Sequence, residues 1–267
     1  MDFRGASAEA VSALTDELKG SVSGDAAAAT GEALLGVAET LRHEVGARRF
    51  LTDGSVPAEP KVGLVREVFG SRLDAPALDV VVAAVSRRWR HAADLTDGLE
   101  RLSEVATVLS TDDPGQLSDE LFEVRRVIDH NAGLRDALSE PARSMEDKSR
   151  LVDDLLSGKV QPATVALARR ALVGTYGTVS AALGAYRTLA GEVHGKSVAT
   201  VRVAKPLPDE QFRRLTEGLT RQYGRPIHAN VVVDPDVIGG IRVEIGNDVI
   251  DGTIASRLDE TRRRLAG

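Results

Sequence analysis

The sequence predicts a mainly α-helical protein with two related antiparallel helical bundles, followed by a small C-terminal α/β region. Three observations support this fold class: a composition that favours helix, a repeat of apolar positions, and a change to β-type alternation after Gly195. The chain has 267 residues, of which 42% are hydrophobic and 3% aromatic. Long stretches of Ala, Leu, Glu and Arg favour helix because these side chains lose little rotamer freedom there.

The net charge, the cysteine content and the length of the apolar stretches also exclude several classes of function. A formal net charge of −6 argues against a general nucleic-acid-binding protein, which carries a broad basic face. The absence of cysteine excludes disulfides, thiolate nucleophiles and cysteine-type zinc sites, and it is compatible with the cytoplasm. The start of the chain lacks the basic and apolar segments of a signal peptide. The most apolar stretch, from Ala77 to Val85, is far shorter than a membrane span, so we expect no direct membrane insertion.

An offset of 87 residues relates two segments of the chain without a gap from about residue 34 to 105. The apolar positions agree in phase and recur at helical spacings, so the repeated object is a set of amphipathic helices. Connections that contain Gly, Pro and Asp favour compact antiparallel bundles. Coincident helical periodicity is the alternative explanation. The offset pairs Leu64, Val65, Val68, Phe69 and Trp89 with Leu151, Val152, Leu155, Leu156 and Tyr176.

The first copy has room for a complete bundle, whereas the second copy starts at about Leu117 and lacks an opening helix. A bundle that lacks one helix would expose an apolar groove, at a cost of about 25 cal/mol per Å². We therefore predict that one helix serves both copies and that residues 112–116 form an ordered turn. The predicted helices lie near 6–20, 27–46, 59–70, 75–91 and 93–110, with a short turn from about Ala47 to Leu51, and the shared helix is the last of them.

The last part of the chain alternates in the manner of β-strands. Pro206 and Pro208 separate the first strand from a helix, whose first turn suits Pro208 and Asp209. The predicted elements are strands at Ser197–Ala204, Ile227–Val233, Ile241–Ile245 and Val249–Ile250, and helices at about 209–223 and 253–265. The predicted domains are therefore a first bundle over 1–115, a second bundle over 116–196, and a small α/β domain over 197–267.

Small residues surround the third predicted strand. Two adjacent glycines, Gly239 and Gly240, precede it and indicate a bulge or a close backbone approach, because glycine adopts positive φ at no steric cost. Asp251 and Gly252 favour a turn into the last helix.

This segment resembles a known family. Residues 232–247 (VVDPDVIGGIRVEIGN) resemble the C-terminal signature of the delta subunits of bacterial F-type ATP synthases, and residues 249–258 (VIDGTIASRL) continue it. The mitochondrial relative in that family is the oligomycin-sensitivity-conferring protein. The resemblance covers roughly residues 121–267 and marks these residues as family-signature or partner-binding positions: Gly239, Gly240, Arg242, Gly246, Asp251, Gly252, Ser256 and Leu258. Shaping of the small sheet is the alternative role for them.

The resemblance implies a non-catalytic subunit of the peripheral stalk, at the cytoplasmic face of the cell membrane. In this family the helical bundle contacts the N-terminal helices of the alpha subunits in the catalytic head. The C-terminal region holds the C-terminal end of subunit b, so that the head resists the torque of the rotor. No cofactor is implied. This chain has about one bundle more than the family needs, which leaves open which bundle contacts the alpha subunits.

The residues that could carry catalysis do not form a recognisable site. The segment from Gly191 to Ser197 has three residues between its glycines, where a phosphate-binding loop needs four and a preceding strand. The five histidines lack the spacing of metal ligands. Trp89 among Arg87, Arg88 and Arg90 is typical of some nucleic-acid sites, but a core tryptophan beside solvated arginines is the simpler interpretation. A helical scaffold module of another assembly is the alternative function.

Overall fold

A computed structural model describes residues 3–173, 175–193, 197–224, 227–234, 237, 239–245 and 248–252. The chain divides into two compact units, Met1–Tyr186 and Arg187–Gly267. The first unit is helical and the second contains a small sheet, so the predicted mainly α fold with a C-terminal α/β region is confirmed. The three-domain division at 115/116 and 196/197 stays a prediction.

The helices of the first unit follow one another with short connections. They are α1 (Ala6–Ser21), α2 (Gly24–His43), α3 (Val45–Thr52), α4 (Ala58–Phe69), α5 (Ala75–Val85), α6 (Ala92–Leu109), α7 (Pro114–His130), α8 (Ala132–Ser139), α9 (Met145–Leu156) and α10 (Pro162–Arg170), with a 3₁₀ turn at Ala171–Val173. Helix α11 (Val179–Val193) crosses the boundary between the two units.

The helix bounds recur at the offset of 87 residues. Helices α3 and α8 begin and end 87 residues apart, and so do α4 and α9. Helix α6 begins and ends 87 residues after α1, to within one residue at each end. Helix α11 begins 87 residues after α6. Helix α6 is therefore the last helix of the first copy and the first helix of the second copy.

Helix α6 lies at the centre of the helical unit. Its buried side chains include Leu95, Leu99, Leu102 and Val105, and it packs against α1, α2, α3, α5 and α10. Helix α2 approaches it closely at Gly31, where an added Cβ would lie 2.9 Å from Thr107 Oγ1. Since α10 belongs to the second copy and the other four helices to the first, α6 contacts both copies, as the repeat predicts.

The predicted turn at Ala47–Leu51 is wrong, because these residues lie in helix α3. Leu51 is only 1% exposed, so its burial stabilises a helix whose eight residues are too few to be stable alone.

The segment after α5 and the connection before α7 also differ from the prediction. Helix α5 ends at Val85 instead of residue 91, and Trp89 lies outside it. Trp89 is nevertheless core: it is buried, its ring packs against Gly98, and its Nε1 donates to Ala84 O at 2.8 Å. Helix α7 already begins at Pro114, where Asp113 accepts a hydrogen bond from Gln116 N at 2.9 Å as its N-cap. The ordered turn is thus shorter than residues 112–116.

The second unit contains a four-stranded sheet. Its strands are β1 (Ser197–Val203), β2 (Ile227–Val233), β3 (Ile241–Ile245) and β4 (Asp248–Asp251), in the order β2-β1-β3-β4, and helix α12 (Asp209–Tyr223) joins β1 to β2. Strand β1 pairs with β2 in parallel and with β3 antiparallel, and β3 pairs with β4 antiparallel. The predicted strands and the helix at 209–223 are confirmed. The predicted last helix at 253–265 lies outside the described residues.

One face of this sheet is the core of the unit. Val201 and Val243 are directly opposite each other on β1 and β3, and both are buried. Leu219 of α12 belongs to the same cluster, with Phe212 and Leu215 packed against it. Because side chains alternate along a strand, residues 202, 242 and 244 lie on the other face. That face carries the charged signature residues.

Candidate functional site

The two glycines of the family signature adopt the backbone conformation that the sequence predicts. Gly239 has φ of +66° and Gly240 has φ of +80°, directly before β3. A side chain at either position would be strained, because L-residues rarely adopt positive φ. These glycines therefore let the chain enter β3 with a backbone that other residues would adopt only under strain.

Arg242 and Asp251 are brought together by the register of the sheet. Arg242 on β3 is paired with Asp251 on β4 and with Arg202 on β1. Arg242 Nε lies 3.1 Å from Glu244 Oε1, and Arg202 Nε lies 3.7 Å from the same oxygen. The two arginine side chains are about two-fifths exposed. The two arginines and Glu244 therefore form a charged, partly exposed surface on this face of the sheet.

Gly252 ends the described part of the signature. Its N–H donates to Ile241 O at 2.9 Å, and an added Cβ would lie 3.2 Å from that oxygen. The close approach favours glycine after β4. The remaining predicted positions, Gly246, Ser256 and Leu258, lie outside the described residues.

A second polar cluster, which the sequence did not predict, lies on the buried side of α6. Glu104 is 0% exposed and both its carboxylate oxygens accept from Tyr176 OH at 2.9 Å, while Arg101 Nη1 lies 3.2 Å away. Burial raises the pKa of Glu104 to about 7, and the nearby Arg101 opposes that rise. Burial also raises the pKa of Tyr176, with the Glu104 charge as the next cause.

The same side of α6 makes polar contacts with both copies of the repeat. Buried Glu100 accepts from Arg42 of α2 and from Thr175, which follows α10. Thr107 accepts from Arg170 of α10 at 2.9 Å. Buried polar groups stabilise a fold when they are hydrogen-bonded, so this cluster couples the packing of the two copies through one helix.

The described part of the chain contains no metal-ligand cluster and no helix that could span a membrane. Its His, Asp and Glu side chains form no group of three or more that could hold a metal ion. None of its helices is long and apolar enough to cross a membrane. The segment 191–197 lacks the glycine spacing of a phosphate-binding loop, and its residues 194–196 lie outside the described part.

A third surface, also missed from the sequence, is an apolar groove in the second copy. It lies between α7, α8 and α9 and has a volume of about 360 Å³. Val127, which is 53% exposed, and Leu155, which is 38% exposed, lie at its edge. The signal available in the sequence was the repeat itself, since the first copy has Thr40 and Phe69 where the second has Val127 and Leu156.

Comparison with known proteins decides the family. The family model for the ATP synthase delta (OSCP) subunit matches residues 102–265, more than half of the chain. The chain belongs to this family. The match begins inside α6, earlier than the residue 121 expected from the sequence signature, so the family region includes most of the second copy together with the sheet.

Curated relatives match the whole chain, including the first copy. The chain is 47% identical to ATP synthase subunit delta of a Nocardioides species, over 99% of this chain and 98% of the relative. It is 43% identical to the subunit delta of Kineococcus radiotolerans, over 92% of this chain and 91% of the relative. It is 39% identical to that of Streptomyces avermitilis, over 100% of both chains. The additional N-terminal copy is thus shared with these relatives.

A solved structure shows a weaker likeness. A chain in the cryo-EM structure of the Toxoplasma gondii mitochondrial ATP synthase hexamer matches with a TM-score of 0.36 and 18% identity. The match covers 59% of this chain and 99% of that chain.

Proposed function

We propose that this delta-family chain is a peripheral-stalk subunit of an F-type, proton-translocating ATP synthase and carries no catalytic site of its own. The observation that carries the proposal is the 47% identity, over nearly the full length of both chains, to a protein named ATP synthase subunit delta. A general scaffold module of another assembly would not account for a family match that includes the C-terminal signature.

The proposed action is mechanical. Rotation of the central stalk exerts torque on the catalytic head, and the peripheral stalk holds the head still. A connector under repeated load needs extended contact surfaces more than a single pocket. The first unit suits that task because one helix, α6, is packed and hydrogen-bonded to both copies of the repeat.

We infer that the two units contact different partners at the cytoplasmic face of the membrane. The helical unit contacts the N-terminal helices of the alpha subunits, and residues 197–267 contact the C-terminal end of subunit b. The exposed charged face around Arg202 and Arg242, and the family signature beside it, support the second assignment. Neither contact requires a cofactor, nucleic acid or membrane insertion.

Truncation tests the assignment to subunit b. We expect deletion from Ser197 onward to abolish co-purification with subunit b, because the signature and the whole sheet are removed. Helical circular dichroism of the truncated chain checks that the upstream helices still fold. Undiminished co-purification of subunit b with a truncated chain that is folded would refute the assignment.

A further inference from the structure

A polar pocket lies in the first helical copy, between the start of α4 and the segment that follows α5. It has a volume of about 320 Å³, and three cationic side chains line it: Lys61, Arg87 and Arg88. None of the described residues that line it is acidic. Arg87 pairs with Glu17 of α1, whereas Arg88 is exposed and has no ion pair with any described carboxylate. A pocket lined by charges of one sign concentrates ions of the opposite sign, so this one favours an anion.

Lys61 gives the most direct indication of a ligand. It is only 5% exposed and lines the pocket. Among the described residues, no group accepts a hydrogen bond from its ammonium or forms an ion pair with it. Its charge contributes to a lowered pKa of Asp53, but the main cause is the hydrogen bond from Ser55 Oγ, and Asp53 Oδ1 accepts from both Ser55 Oγ and Ser55 N. Because a buried charge without a partner is costly, Lys61 favours an anion in the pocket.

The N-terminus of helix α4 lies at the same pocket. Ala58, the first residue of the helix, is part of the lining, and its N-cap Pro57 makes no side-chain capping bond. The first N–H groups of a helix have no partner within the helix, and the helix dipole makes this end positive. Phosphate groups bind at such ends because the N–H groups and the dipole act together. The helix end therefore adds donors to the charge of Lys61.

The second copy closes the equivalent helix end with its own side chains. Helix α9 has Ser144 as its N-cap, and Ser144 Oγ accepts from Asp147 N at 3.1 Å and donates to Asp147 Oδ2 at 2.8 Å. The residues 87 positions earlier are Pro57 and Pro60, which have neither a hydroxyl nor a carboxylate. An anion from solution can therefore replace in the first copy what Ser144 and Asp147 supply in the second.

The second copy also keeps the buried lysine without the arginines. Lys148 lies 87 residues after the pocket lysine and is 8% exposed. The sequence has Gly174 and Thr175 at the positions equivalent to Arg87 and Arg88. Lys148 is therefore a control within the same chain: it shares the burial of the pocket lysine but not the additional positive charge.

We propose that this pocket of the first copy binds a phosphate group, either as free inorganic phosphate or as the phosphate of a small molecule. The phosphate oxygens accept from the Lys61 ammonium, the Arg88 guanidinium and the first N–H groups of α4. Charge-assisted hydrogen bonds of this kind are stronger than those between neutral groups. The volume of about 320 Å³ lies at the lower end of the range for small-molecule pockets, roughly 300–1,000 Å³, and leaves room for a small attached group. The proposal concerns the first copy alone and does not depend on the stalk function.

Titration of the full-length chain with inorganic phosphate tests the proposal. Trp89 is the single tryptophan of the chain and lines the pocket, so its fluorescence reports on this site. We expect a saturable change with phosphate and none with sodium chloride at equal ionic strength, and calorimetry gives an independent affinity. A second titration, with glycerol phosphate, identifies the source of the group: tighter binding than that of inorganic phosphate indicates a phosphate ester, and equal or weaker binding indicates the free ion.

Substitutions in the two copies locate the site. Lys61→Met removes the charge but keeps an unbranched apolar stem, and we expect the Kd for phosphate to rise about tenfold or more. Lys148→Met is the matched control in the second copy and should leave the Kd unchanged. Arg88→Gln alters an exposed side chain, so the chain should fold normally while the Kd rises about threefold. Thermal unfolding without phosphate checks the fold of each variant.

Three results would overturn the proposal: no saturable phosphate-specific change in a folded chain, an equal loss of affinity in Lys61→Met and Lys148→Met, or an unchanged affinity in Arg88→Gln. The last of these decides the question even if Lys61→Met fails to fold.

Discussion

Glu104 combines complete burial with a carboxylate that can ionise near neutral pH. Its pKa is raised to about 7 from an ordinary value of 4.5, and the first cause is burial. A folded-state pKa above the unfolded value means that the folded chain binds the proton more tightly. The contribution of this group to stability is therefore fully present below about pH 4.5 and is lost as the pH rises to about 7.

Glu104→Gln should remove this pH dependence. Glutamine keeps a hydrogen-bond acceptor for Tyr176 but cannot ionise, so the free energy of unfolding should fall less between pH 5 and pH 8 than in the unchanged chain. The difference between the two chains over that interval is on the order of 2–3 kcal/mol. Urea unfolding at both pH values measures it. Exposed Glu39→Gln is the control, and an identical pH dependence in all three chains would show that Glu104 does not titrate in this way.

Helices and strands were predicted correctly where neighbouring residues determine them, and less well where contacts with distant residues determine them. The strands Ile227–Val233 and Ile241–Ile245 were predicted with their observed bounds, because alternation and flanking turn residues are read directly along the chain. The helix α3 was missed because burial of Leu51 against other elements stabilises it. The end of α5 was misplaced because apolar Trp89 continues the helical spacing although the backbone has already left the helix.

In the candidate sites, too, features set by residue type were predicted and features set by packing were not. The positive φ of Gly239 and Gly240 followed from residue type alone. The groove beside Leu156 was not predicted, because it depends on how completely the side chains of the surrounding helices fill the space between them. The cluster around Glu104 was not predicted, because a glutamate in an amphipathic helix ordinarily lies on the solvated face.

Packing between α2 and α6 yields a prediction for the pair of helices. Gly31→Ala should destabilise the chain by about 1–3 kcal/mol, because the added Cβ would lie 2.9 Å from Thr107 Oγ1 and 3.1 Å from Ser103 O. Gly36→Ala, on the same helix, meets nothing within 4 Å and should stabilise it by about 0.5–1 kcal/mol. Thermal and urea unfolding compare the two variants. Equal effects of the two substitutions would show that α2 and α6 do not pack this closely at Gly31.

For the whole molecule, the repeat predicts that the two helical copies behave as one body. Helix α6 belongs to both, and the connection to α7 is short and capped by Asp113. Limited proteolysis of the native chain should therefore give no rapid cleavage between residues 111 and 117. The time course, followed by mass spectrometry, is compared with cleavage of urea-unfolded chain. Rapid release of two independently folded pieces would show that the copies are separate domains.

We propose that this chain connects the catalytic head of an ATP synthase to its membrane sector. Affinity purification of the tagged full-length chain from gently solubilised native membranes tests it most directly, with quantitative mass spectrometry of the bound proteins. We expect the alpha subunits and subunit b to be enriched together, in proportions that stay constant through a second purification step. Enrichment of neither subunit, while the tagged chain itself is folded and abundant, would contradict the claim.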